Sequence, residues 1–216
     1  MLVPMTGALR DASHRTAAFG DLQITFDDRV LEPREWTSMQ SHWAAELLGQ
    51  APESRILELC AGAGHIGLLA ASLSGASLVC VDVDPVACDF ARSNAEAAGL
   101  SDRVQVKCVP LEHPLTGRDG AFDLVIADPP WVPRAEIGRF PADPELAIDG
   151  GPDGLDVARD CLVHARAAVS PGADMLIQLG DETQAEGLTL WAAKHGWHRA
   201  GLRHGERGVV LHLVTG

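Results

Sequence analysis

From Arg55 to Leu179 the chain repeats one rhythm: a short apolar run, a glycine or proline break, then apolar residues at helical spacing. Arg55–Leu59, Ser77–Val83, Val104–Cys108, Phe122–Ala127 and Met175–Leu179 have strand length, and all but Val104–Cys108 show little polar alternation. A strand that is apolar on both faces is buried on both, as in a parallel sheet covered by helices. Ile66, Leu69, Ala70 and Leu73 make one helical stripe, which Gly75 ends. Val86, Phe90, Ala91, Asn94 and Ala97 make a second, opening on Pro85 and closing at Gly99. Leu155, Ala158, Leu162, Ala165 and Val169 make a third, after which Ser170-Pro171-Gly172 reads as a turn. A helix over 185–195 precedes strand-like runs near Trp197–Leu202 and Gly208–Val214. The alternation predicts an α/β fold: a doubly wound, mostly parallel seven-stranded sheet with an antiparallel hairpin at its end.

Upstream, Leu22–Phe26 alternates as a strand, Asp27-Asp28 reads as a turn, and Val30-Leu31 as the start of a return strand. Thr37 to Leu48 suits a helix, with Thr37 or Ser38 as N-cap and Gly49 as stop. Residues 1 to about 18 show no periodicity and read as a loose lead-in. The expected organisation is an extension of hairpin and helix over 1–50, followed by one α/β domain over 51–216.

The net charge of −13 disfavours a broad grip on a nucleic-acid backbone, which needs clustered Lys and Arg. Only Arg199, Arg203 and Arg207 offer a local basic strip. The five cysteines form no C-x-x-C and read as free, buried thiols; no His/Cys spacing suits zinc, so no metal is expected. No stretch has the length and apolarity of a membrane span, and the first residues carry no apolar core of signal-peptide length. A cytoplasmic location is the expectation.

Glu58 to Gly67, ELCAGAGHIG, joins a strand to a helix. Glycines let the backbone turn sharply and approach a ligand, and the helix start offers unpaired N–H groups. Asp82 ends the next strand, where a carboxylate reaches ribose hydroxyls. Gly62, Gly64 and Gly67 satisfy G-x-G-x-x-G, a spacing that leaves NAD and S-adenosylmethionine both open. Glu58 favours the second: a carboxylate suits a sulfonium and an ammonium and repels a pyrophosphate. His65 is expected to face solvent, with contact to a cofactor carboxylate as the alternative.

Asp128-Pro129-Pro130-Trp131 follows the fourth strand directly, at the end of the sheet where ligands bind. Two prolines stiffen the loop and remove two N–H donors, so it presents carbonyls. The Asp128 side chain and the Pro129 carbonyl suit the two hydrogens of a planar –NH₂ group, and Trp131 suits its flat face. Such a nitrogen is a poor nucleophile, so alignment with a methyl donor is what a site must supply. Asp128 is also placed to take up the proton. The rest of the Pro/Gly-rich loop, with Asp149, Gly150, Gly151 and Asp153, reads as a flexible lid. Arg34 and Thr37 suit either closure of the cleft or a salt bridge and an N-cap. Trp191 and Trp197 read as core.

These residues resemble the class I methyltransferases, and within them the PrmC/HemK group, which methylates the glutamine amide of the Gly-Gly-Gln motif in release factors. The resemblance spans roughly residues 19 to 214. It rests on Val30–Thr37 (VLEPREWT), Glu58–Gly64, Val81-Asp82-Val83-Asp84-Pro85 with Ala91–Asn94, and Leu146–Leu155 (LAIDGGPDGL). It implies a Rossmann-like methyltransferase domain that uses S-adenosylmethionine. By this resemblance the cofactor meets Glu58, Cys60, Ala61, Gly62, Gly64, Asp82, Val83, Leu111 and Asp128, with Leu111 against adenine; Asp128 to Trp131 hold the acceptor nitrogen. Three positions depart from the group: Asp-Pro-Pro-Trp stands for Asn-Pro-Pro-Tyr, a variant similar to adenine amino-methyltransferases; Cys60 stands at the first glycine; and about 18 residues precede the hairpin, where bacterial members carry a helical domain. The function expected first is N-methylation of a protein glutamine, as in a release factor, or of a related small molecule. The others are adenine N-methylation on RNA or a small molecule, a non-catalytic nucleotide-binding domain and, more weakly, an NAD-dependent oxidoreductase.

Overall fold

The computed structural model describes residues 14–113 and 121–216. A two-stranded antiparallel hairpin comes first, β1 Arg15–Phe19 and β2 Leu22–Phe26. Helix α1 (Ser38–Leu48) leads into alternating elements: β3 Arg55–Leu59, α2 His65–Ser74, β4 Ser77–Asp82, α3 Pro85–Ala97, β5 Val104–Cys108 and β6 Phe122–Ala127. Then follow a single helical turn α4 (Glu145–Ile148), α5 Asp156–Ala168, β7 Val169–Leu179, α6 Glu182–Ala192, β8 Trp197–His204 and β9 Val209–Thr215. The sheet runs β5-β4-β3-β6-β7-β9-β8; its first five strands are parallel, and β9 is antiparallel to both β7 and β8. The expected doubly wound seven-stranded sheet is therefore present.

Each face of that sheet has its own core, which is why its central strands carry apolar residues at successive positions. On one face Ile56, Leu78 and Ile126 pack with Leu69 of α2, Phe90 of α3 and Trp43 of α1. The hairpin joins this core through Phe19, Ile24 and Phe26. On the other face Leu57, Val125 and Ile177 pack with Leu162 of α5 and Leu188 of α6. Trp197 is fully buried there and donates its indole N–H to the Leu162 carbonyl at 3.1 Å, as expected of core. Trp191 is only half-buried and stacks on His195 at 3.5 Å between centroids. No helix among the described residues is long and apolar enough to cross a membrane.

Several expectations need correction. The partner of β2 is β1, which precedes it; Val30-Leu31 forms no strand. Gly20, at φ +54°, closes the tight turn between them, and the Asp27 carboxylate takes the Arg29 N–H and guanidinium, which turns the chain after β2. Residues 15–18 are thus ordered strand rather than loose lead-in. Val169 belongs to β7, not to the helix before it, and Ser170-Pro171-Gly172 lies within that strand. The register against β6 shifts between Phe122 and Leu124, which absorbs the proline and glycine. Thr37 caps no N–H; its hydroxyl donates to the Arg34 carbonyl at 2.8 Å. Cys108 is exposed, because β5 is an edge strand. The loop expected around Pro114 and Gly117 lies outside the described residues.

Candidate active site

The glycine turn starts at a strained residue. Cys60 has φ +57°, a left-handed conformation that costs a side-chain-bearing residue about 1–2 kcal/mol. It is the one non-glycine among the described residues with positive φ, and it stands at the first glycine of the motif. The thiol faces that of Cys161 at 3.8 Å; that contact and burial push its pKa far up, so it stays protonated. Gly62 has φ +53° and open space where a Cβ would be. Gly64, at φ +81°, lies against Ala91 of α3. Gly67 serves packing: a Cβ there would land 2.8 Å from Glu58 Cδ.

Glu58 fills that space. Its carboxylate is 2% exposed and accepts the Gly67 N–H at 2.8 Å and the Cys80 thiol at 3.2 Å. Burial raises its pKa to about 7 against the pull of those two bonds. It lines neither cavity described below, so it fastens α2 to β3 instead of facing a ligand. Asp82, at the end of β4, accepts the Gly62 N–H at 2.7 Å and the Asp84 N–H at 2.9 Å. One oxygen serves each bond, so each keeps a lone pair for a ligand. Burial raises its pKa, and the two N–H bonds oppose that shift.

Two cavities meet over the carboxyl ends of these strands. The first, about 370 Å³, is lined by Cys60, Ala61, Gly62, Asp82, Val83 and Leu111 among others. The second, about 430 Å³, is lined by Arg34, Thr37, Pro129, Trp131, Phe140 and Asp143 among others. Asp128 and His65 border both. The structure thus brings the expected residues together except Glu58 and Gly64. Pro130 lines the first cavity and not the second.

The Asp128 loop is fixed at every side but one. Gln40, fully buried on α1, donates its amide to the carbonyls of Ala127 at 2.9 Å and Leu176 at 2.8 Å, bracing the end of β6. Gln184 donates to the Trp131 carbonyl at 2.8 Å, and Val132 exchanges backbone bonds with Ile148 and Gly150. Trp131 lies against Gly180, where a Cβ would sit 2.7 Å from the indole ring. The Asp128 carboxylate receives no hydrogen bond from a described residue; burial alone raises its pKa to about 7. An unpaired, half-buried acceptor at the junction of two cavities is costly unless a ligand supplies donors.

The loop expected as a lid sits differently. Asp149 pairs with Arg134 at 2.9 Å, Asp153 with Arg159 at 2.6 Å, and Gly150 is pressed against the Pro130 carbonyl. These residues support the Asp128 loop from behind and line neither cavity; Asp143 to Ile148, on and beside α4, form the rim instead. Arg34 and Asp143 bridge the second cavity at 3.3 Å. His65 does not face solvent. It is half-buried, its ring stands edge-on to Phe19 at 4.8 Å, and Nδ1 is buried with no hydrogen-bond partner among the described residues. The sequence carried no sign of this, because the hairpin that walls in the ring comes from 46 positions upstream (65 − 19). The same holds for Arg29, Val30 and Leu31, which line the first cavity from the segment after β2.

Residues 56–140 match the family described as a methyltransferase domain. The chain is 37% identical over 186 residues to the release factor glutamine methyltransferase of Deinococcus radiodurans, covering 83% of this chain and 64% of that one. It is 33% identical over 191 residues to the ribosomal protein uL3 glutamine methyltransferase of Bradyrhizobium diazoefficiens, covering 79% and 59%. The chain therefore spans less than two thirds of the length of these relatives. Among solved structures, the hMettl16 catalytic domain in complex with the MAT2A 3'UTR hairpin 6 superposes with a TM-score of 0.71 at 18% identity, over 90% of this chain and 75% of that one. That likeness shows a shared fold.

Proposed function

The chain carries a class I methyltransferase domain and resembles the release factor glutamine methyltransferases, and from that premise we propose that it methylates the side-chain amide nitrogen of a protein glutamine, using S-adenosylmethionine. The observation that carries this is the Asp128 carboxylate, which lacks a donor among the described residues and borders both cavities.

The first cavity fits the cofactor. Among the described residues its acidic ones are Asp82, Asp84, Glu112, Asp128 and Asp160, and Arg29, the one lysine or arginine there, is held by Asp27. That balance suits a sulfonium and an ammonium and opposes a dinucleotide pyrophosphate. Asp82 offers its free lone pairs to ribose hydroxyls, the Gly62 turn allows close approach, and Leu111 gives an apolar wall for adenine. The cofactor supplies an electrophilic methyl group on sulfur.

The second cavity takes the glutamine. Asp128 and the Pro129 carbonyl accept one N–H hydrogen each, and Trp131 lies along the flat face of the amide. Fixing both hydrogens turns the nitrogen toward the first cavity, which is the alignment a delocalised lone pair needs. After transfer the nitrogen is strongly acidic, and Asp128 is the adjacent base that receives its proton.

The test uses tritiated S-adenosylmethionine with the purified chain, a bacterial release factor, ribosomal protein uL3 and total RNA in separate reactions. Label in either protein is expected. Label confined to RNA would contradict the proposal and favour the adenine reading.

A further inference from the structure

The glutamine amide has a carbonyl oxygen beside its nitrogen, and Asp128 and Pro129, both acceptors, leave it without a donor. His65 is the polar side chain that borders both cavities together with Asp128. It opens α2 directly after Gly64, whose left-handed conformation ends the glycine turn. Phe19, fully buried at the end of β1, stands edge-on to the imidazole and fixes the ring plane. Nδ1 is buried without a partner among the described residues, which leaves Nε2 as the ring nitrogen available to the cavities.

Burial lowers the imidazole pKa to about 4, so the ring is neutral near pH 7 and carries one N–H. A buried N–H without an acceptor is tolerated less than a buried lone pair without a donor. The proton therefore belongs on Nε2. Neutrality also suits the neighbourhood, since an imidazolium would repel a sulfonium.

We propose that His65 is an acceptor-binding residue that selects a carboxamide: its Nε2–H donates to the carbonyl oxygen of the amide whose nitrogen Asp128 and Pro129 hold. This rests on the methyltransferase reading above and adds a discrimination to it. A lysine ammonium has no lone pair, and a neutral alkyl amine has only the one that attacks the methyl group, so either leaves the Nε2–H donor unpaired. The bond belongs to the ground state. As the nitrogen gains the methyl group it stops sharing its lone pair with the carbonyl, and the oxygen becomes a weaker acceptor. His65 therefore contributes to acceptor binding and orientation and not to the chemical step.

Three substitutions test this. Glutamine at 65 places an amide N–H near the position of Nε2, asparagine places one near Nδ1, and leucine keeps bulk without a donor. With whichever of release factor and uL3 the wild type labels, His65→Leu and His65→Asn are expected to raise the acceptor KM by about tenfold, the size of one neutral hydrogen bond. The kcat is expected to be unchanged or higher, and the S-adenosylmethionine Kd unchanged. His65→Gln is expected to stay within about threefold of wild type. Equal KM in all four proteins, or a loss in His65→Gln as large as in His65→Leu, would overturn the proposal. A weakened S-adenosylmethionine Kd with unchanged acceptor KM would also overturn it, placing His65 on the cofactor. If the wild type binds S-adenosylmethionine and labels neither protein, the methyltransferase reading of the acceptor fails, and this proposal with it. Nitrogen-15 NMR of the histidine-labelled chain at pH 7 is an independent check: the Nε2–H tautomer at His65 is expected, and the Nδ1–H tautomer would overturn the donor assignment.

Discussion

Asp128 combines two properties that pull against each other. It is ionisable, and it lies where burial raises its pKa to about 7. A protonated carboxyl accepts from –NH₂ only weakly, through its carbonyl oxygen, and cannot take up a proton, so kcat/KM for the acceptor is predicted to climb as pH rises through about 7. With cofactor bound the limb shifts lower, since a nearby cation favours the ionised form. The resembled group has asparagine here, which accepts through its amide oxygen without titrating. Asp128→Asn keeps the acceptor oxygen and leaves the strongly acidic proton to water, so it is predicted to keep activity within about tenfold and to lose this pH limb, while Asp128→Ala loses at least about 100-fold. Rate measurements from pH 5.5 to 8.5 check both; an unchanged limb in Asp128→Asn would assign it to another group. The type of this residue was legible in the sequence, as were its place after the fourth strand and its companion Asp82. Its lack of a partner was not, because a missing bond is a property of every element packed around it.

At the scale of elements, the three motif glycines answer to different demands. Gly62 leaves room for a ligand, Gly64 for α3, and Gly67 for Glu58. Spacing alone could not separate these demands, and charge complementarity placed Glu58 near the ligand, whereas its carboxylate accepts the Gly67 N–H of α2. Gly67→Ala is predicted to cost about 1–3 kcal/mol by overpacking, read as a lower urea midpoint. A variant as stable as wild type would show that β3 and α2 have slack between them. Glu58 contributes in the opposite sense. Its folded pKa, near 7, exceeds the ordinary 4.5, so its protonated form stabilises the fold below pH 4.5 and that contribution is lost as pH rises through 7. Glu58→Gln does not titrate. It is predicted to gain about 2–3 kcal/mol relative to wild type between pH 4.5 and 8. Urea unfolding of both proteins at the two pH values checks the sign; a constant difference would contradict it.

For the whole molecule, the unbroken apolar strands specified the sheet, because burial on both faces has few other solutions. What they could not specify lies at the margins. The hairpin partner was misplaced to Val30-Leu31 because β1 is short and carries a single fully buried residue, Phe19. The lid was misplaced because Asp149 to Gly154 reads as a flexible loop until its ion pairs and close glycine contacts are seen. In the folded molecule these margins meet: the Arg29–Leu31 segment after the hairpin on one side, and α4 on the other, border the two cavities. A cofactor bound to the folded state alone stabilises it by mass action. At 100 times its Kd, S-adenosylmethionine is predicted to add about 2.7 kcal/mol and to raise Tm by roughly 5–10 °C, with no shift from NADH. A shift from NADH alone would overturn the assignment of the first cavity.

The most direct test of glutamine N-methylation is residue-level mass spectrometry of release factor and uL3. Each is incubated with S-adenosylmethionine and either the wild-type chain or Asp128→Ala. The prediction is a single methyl group on a glutamine side-chain nitrogen with wild type and none with Asp128→Ala. Methylation on any other residue type, or equal glutamine methylation by Asp128→Ala, would contradict the role given to Asp128 and its loop.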